Sequence, residues 1–185
     1  MASMVDRMIR AARLDASLYE EVEADTTSMG QATGVVLLAS LAGGIGSIGE
    51  MGATGFVLGA LFSLLGWYVW SLITYWVGTR LLPQPSTQAD LGQLLRTIGF
   101  ASSPGLLRAL GVVPGIGPLV VAVSALWSLT AMVVAVRQAL DYDSTGRAIA
   151  VCVIGWIVQL LIIVIPMVLL GFAIGAAGSQ GGAAA

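Results

Sequence analysis

The chain has no histidine among its 185 residues, and all eight of its basic residues are arginine. The lack of lysine and histidine removes the usual general base, the commonest metal ligand and any Schiff-base nucleophile. A single cysteine, Cys152, allows neither an internal disulfide nor a thiolate cluster, and within its apolar run it reads as a small packing residue. Charged residues make up only 10% of the chain and the net charge is −2, too little of either sign to engage nucleic acid. No nucleophile–base pair is visible, and the glycine-rich "GGIGSIG" lacks the strand and acidic follower of a dinucleotide site. These absences predict no catalytic residues, no metal and no cofactor.

What fills the space is hydrocarbon. The hydrophobic fraction is 57% and the mean hydropathy +0.93, the composition of a chain solvated by lipid. Charges divide it into long apolar runs, each able to supply the roughly 20 residues that cross a bilayer core. The first run starts near residue 32, after Glu20, Glu21, Glu23 and Asp25, so it reads as a permanent span and not as a cleaved signal. Four spans are expected at about 31–49, 53–79, 116–137 and 147–176.

The stretch "GFASSPGLLRALG" (99–111) is more ambiguous, because only eleven uncharged residues separate Arg96 from Arg108. Arginine placement resolves it. With a fifth span at 94–111, Arg7, Arg10, Arg13, Arg80, Arg96, Arg137 and Arg147 share one side and only Arg108 lies opposite. That is the arrangement expected with arginine on the cytoplasmic side, with Arg96 and Arg108 snorkelling to the two interfaces. The expectation is therefore an all-α, five-span bundle over 29–178, with a cytoplasmic N-terminus, an external C-terminus and a flexible small-residue tail at 179–185. Glu50 and Arg108 are then the only external charges, and they are expected to form an ion pair or, alternatively, to reach the headgroups separately.

Small residues four apart mark helix-packing faces: Ser40 with Gly44, Ala42 with Gly46, and Gly55 with Gly59. They serve packing within the bundle or docking of a partner. Trp67 and Tyr68 lie deep enough to pack between helices, while Tyr75 and Trp76 suit a headgroup belt. Pro166 is expected to weaken the last span locally. Residues 1–28 read as one cytoplasmic amphipathic helix: Val5, Met8, Ile9, Ala12 and Ala16 share a face, which Asp15 interrupts. Its arginines, Arg7, Arg10 and Arg13, suit an anionic membrane surface; a helix folded onto its own bundle and a partner-binding helix are the other readings.

A juxtamembrane "LYEEVEAD", five spans, and "GFASSP" opening the third together resemble the Yip family of integral membrane proteins, specifically its prokaryotic branch. Gly99, Phe100 and Pro104 fit the family's Gly-aromatic-x-x-x-Pro pattern, and Leu18 and Tyr19 fall where its juxtamembrane motif lies. Glu20 and Glu21 follow where eukaryotic members have Gly-Pro, so the resemblance does not carry over their binding of Rab GTPases. It implies a compact helical bundle without enzymatic chemistry, in the prokaryotic cytoplasmic membrane. The function expected is a scaffold, adaptor or accessory subunit that organises membrane or holds a membrane-protein partner or a second copy. The alternative is a conduit for a small solute or lipid, or a transporter subunit.

Overall fold

The computed structural model describes the backbone of residues 2–45 and 48–181 and the side chains of 2–45, 57–162 and 164–165. Two short helices, α1 (Met4–Ala12) and α2 (Ala16–Ala24), precede α3 (Met29–Ile45) and α4 (Ile48–Trp76). Then follow α5 (Leu91–Ala101), a 3₁₀ helix (Ser103–Val112), α6 (Gly117–Ala139) and α7 (Thr145–Gly181). There is no strand among the described residues. Four segments are long and apolar enough to cross a membrane: Thr26–Ile45, Val57–Leu81, Gly117–Ala139 and Thr145–Ile162. They match four of the expected spans, and α7 continues through Pro166 without a break.

The expected helix at 94–111 is instead two pieces. A capping box starts α5: Gln93 N–H donates to Asp90 Oδ1 at 2.9 Å, and Asp90 N–H donates to Gln93 Oε1 at 2.6 Å. The α-helix ends at Ser102–Ser103–Pro104 because proline has no N–H and disfavours a helical residue before it. Hydroxyls occupy the carbonyls left there, Ser102 donating to Ile98 O at 3.3 Å and Ser103 to Phe100 O at 2.6 Å. Beyond the break the tighter 3₁₀ winding stretches the chain, so 91–112 covers roughly the length of a bilayer core in 22 residues.

Its path follows α3 in the same direction. A Cβ on Gly99 would lie 2.8 Å from Ala32 Cβ, one on Gly105 3.3 Å from Ala39 Cβ, and Gly43 faces Arg108. The contact register therefore advances together along both segments. α6 returns antiparallel, with Ser124 Oγ donating to Pro104 O at 2.9 Å. We call the end where α3, α5 and α7 begin and α4 and α6 finish the near end, and the opposite one the far end.

The buried core lies in the near half. One cluster joins Trp70 and Ile73 of α4, and Val77 just after it, to Leu94, Ile98, Val136, Leu140 and Val151. A second joins Ala11, Leu18, Tyr19 and Val22 to Phe100, Ala131 and Ala135. Toward the far end, Leu61, Phe62 and Leu65 of α4 and Leu160, Leu161 and Ile162 of α7 are exposed, as suits lipid contact.

The small-residue faces are only partly covered by the described residues. Ala42 is buried, but nothing lies within 4 Å of a Cβ on Gly59, and Gly46 and the surroundings of Gly55 lie outside the described residues. Between α3 and α5, close approach falls at Gly99 against Ala32. Gly99→Val should drive a branched side chain into the α3 backbone and cost about 1–3 kcal/mol, seen as a lowered thermal midpoint in mild detergent; an unchanged midpoint would place the contact elsewhere.

Candidate functional site

Residues 1–28 do not form one helix. Arg13 to Asp15 turn the chain between α1 and α2, with Leu14 at φ 61°, and Asp15 caps α2 by accepting from Ser17 N–H at 3.0 Å. The acidic residue that interrupts the amphipathic stripe is thus a helix start. The two helices form a hairpin laid against the side of the bundle, across α5, the 3₁₀ helix and α6.

Two arginines anchor it. Arg96, on α5, is buried and donates through Nε to Val22 O at 2.8 Å and through Nη2 to Glu23 O. The last carbonyls of α2 have no partner within their own helix and carry its negative dipole end, so a buried guanidinium satisfies both needs. Arg96 therefore points inward and does not snorkel. Arg7, also buried, donates to Glu21 Oε1 at 2.9 Å, Gln31 Oε1 at 3.1 Å and Asp25 Oδ2 at 2.8 Å. Arg10 reaches Asp15 Oδ2 at 2.9 Å and Glu21 Oε2 at 2.6 Å. Two of the three arginines expected at the membrane surface are thus held within the hairpin, and Arg13 alone stays exposed.

The network sets the local acidities. Glu21 is held below the usual carboxylate range by hydrogen bonds from Arg10 and, to a lesser degree, Arg7. Asp25 is lowered by the Thr27 hydroxyl and then by Arg7. Glu23 goes the other way: burial lifts it to about 7, and the charges of Asp141, Glu20 and Asp90 reinforce the lift against the opposing pull of Arg96.

The residues of the resemblance converge here. Leu18, Tyr19 and Phe100 are fully buried in one cluster, Gly99 lets α3 approach beside it, and the Pro104 carbonyl accepts from Ser124. The Glu50 side chain lies outside the described residues, and with it the expected pair to Arg108. Two residues that sequence reasoning overlooked complete the dock. Gln138 Nε2 donates to Glu20 Oε1 at 2.9 Å, and the Trp127 indole N–H donates to Ala12 O at 2.7 Å.

The Trp127 bond sets how far along α6 the hairpin reaches. It lies twelve residues along α6 from Ala139, about 18 Å, or near the middle of a segment that qualifies as a span. The charged turn of the hairpin therefore reaches that level. On its outer side α1 exposes Val5 and Ile9, one helical turn apart, an apolar stripe facing away from the bundle.

From the edge of the core toward the far end, the helices line an open cavity of about 330 Å³. Ser40, Ser63, Ser102, Arg108, Ser128 and Gln159 give it polar groups, and Trp67, Trp70 and Trp156 form aromatic walls. Among the described residues no His/Cys/Asp/Glu group is arranged to hold a metal ion.

The chain matches the Yip1 domain family over residues 19–178, which include α2 from Tyr19 onward, all four membrane-length segments and the 91–112 stretch. No curated protein and no solved structure gives a significant match.

A carboxyl lifted to about 7 disfavours the charged form in the docked hairpin. Its penalty is absent below its ordinary value, grows as pH rises, and is complete above about 7. Hairpin docking should accordingly be firmer at pH 5.5 than at pH 8, read as slower proteolysis within residues 1–25. Glu23→Gln should make the pH 8 rate resemble that at pH 5.5; a variant with the wild-type pH dependence would remove Glu23 as its source.

Proposed function

The chain belongs to the Yip1 family, and from that premise we propose that it is a non-enzymatic adaptor of the prokaryotic cytoplasmic membrane that organises lipid through its docked N-terminal hairpin. As a membrane protein with four apolar segments of spanning length, it gains a fifth crossing in this reading from α5 and the 3₁₀ helix. Their common direction with α3 and their antiparallel partner α6 support it. Arg80, Arg96, Arg137 and Arg147 cluster at the near end, which supports reading that end as cytoplasmic.

The observation that carries the proposal is the depth of the hairpin. A polar turn bonded to Trp127 stands where a flat cytoplasmic leaflet would place acyl chains. Arg13 and Asp15 do not tolerate that contact, so headgroups and water must descend to meet them. Meanwhile Val5 and Ile9 offer lipid an apolar flank. The protein acts as a one-sided wedge, thinning one leaflet beside α6 and giving a partner protein a recognisable place to bind. The runner-up, a conduit, draws on the polar cavity.

Two measurements test this reading. A reporter fused after residue 185 should read as external; a cytoplasmic signal would mean that 91–112 does not cross. Reconstituted wild-type protein should narrow or tubulate vesicles, and Arg96→Met, which strips α2 of its clamp at a cost of about 1.5–3 kcal/mol, should lose most of that effect. Selective solute flux without remodelling would favour the conduit.

A further inference from the structure

The far-end cavity has a chemistry that the wedge reading does not use. Its depth follows from α3, α6 and α7, each of spanning length, and holds whichever way residues 91–112 are counted. Ser40 lies eleven residues from Met29, Ser128 eleven from Ala139 and Gln159 fourteen from Thr145. At 1.5 Å per residue these polar groups sit about 16–21 Å from the near end, at and beyond the membrane midplane. Arg108 enters from farther out, its Cδ 3.8 Å from where a Gly43 Cβ would be. The Ser128 hydroxyl is buried and has no hydrogen-bond partner among the described residues. Thr74 carries the other such hydroxyl, but only Ser128 lines the cavity, where a group without a partner gains from any ligand that bonds to it.

From this geometry we infer that the cavity binds the anionic phosphate headgroup of a membrane lipid, with Arg108 as its cation and the Ser128 hydroxyl and Gln159 amide as neutral donors. The volume accommodates a headgroup but not a whole lipid, so the acyl chains must leave the cavity. Exposed Leu61, Phe62 and Leu65 of α4 and Leu160, Leu161 and Ile162 of α7 provide an apolar surface for them at the same level. These flanks favour a lipid over a soluble anion, which would use the charge and leave the apolar walls without purpose. An arginine is suited to the task, since its fork of donors matches phosphate oxygens. Trp67, Trp70 and Trp156 line the same space and act as built-in reporters.

The test is tryptophan quenching in nanodiscs by phosphatidylglycerol or phosphatidylcholine brominated near the headgroup. Wild-type protein should show roughly tenfold preference for the anionic lipid, the scale of one charge-assisted contact. Arg108→Gln should abolish that preference and Arg108→Lys retain part of it; Ser128→Ala should weaken it, with the near-end core and thermal midpoint unchanged. Equal quenching by both lipids in the wild type, or a preference that survives Arg108→Gln, would overturn the site. Displacement of brominated phosphatidylglycerol by millimolar inorganic phosphate would overturn the lipid assignment in favour of a soluble anion.

Discussion

A buried arginine bonded to the open end of a helix is the interaction on which the rest of this structure depends. Arg96 takes the terminal carbonyls of α2, and by doing so fixes a polar hairpin to the side of an apolar bundle. Without it, the Glu23 carbonyl and the guanidinium would be left in a poorly solvated place, and Val22 O would keep only the longer bond from the Ser28 hydroxyl at 3.3 Å. With it, α2 buries Leu18, Tyr19 and Val22 against Phe100 and Ala135, and the turn before α2 reaches Trp127. The clamp thus converts a charged N-terminal segment into part of the membrane domain.

That coupling divides the molecule into two unlike halves. At the near end, side chains interlock: the Tyr142 hydroxyl, with one proton to share, lies 2.9 Å from Gly78 O and 2.7 Å from Leu82 O, tying the α6–α7 turn to the segment that follows α4. Toward the far end the helices keep their apolar faces for lipid and enclose space between them. An interlocked near half with a docked hairpin and an open far half support the proposal of a protein that acts on its surroundings through shape. The Yip1 family membership is consistent with such a membrane role.

The sequence made much of this legible, because hydropathy reports burial in lipid directly. Four spans and the all-helical class follow from run length alone, and the arginine pattern picks out 94–111 as the anomalous segment. The break at Ser102 was visible only as Pro104 and two serines; their local bonds decide between one helix and two, and periodicity does not see them. The hairpin was harder to read. Asp15 looks like a flaw in an amphipathic stripe, and only the fold shows it as a cap that reverses the chain. From sequence, Arg7 and Arg96 look interfacial, because an arginine beside an apolar run usually is. Their partners, Asp25 and the Val22 carbonyl, are 18 and 74 residues away, and no local pattern encodes such pairings.

The central claim is that the hairpin lies docked at the depth of Trp127 in a bilayer. Spin labels placed at Arg13 and Leu126, with Cys152 replaced by serine, test it by distance measurement in lipid nanodiscs. The account predicts one short, narrow distance that persists in lipid and broadens when Arg96→Met is added. A long, broad distribution in the otherwise unmodified pair would contradict it, because the hairpin would then be a tethered surface helix and the wedge would not exist.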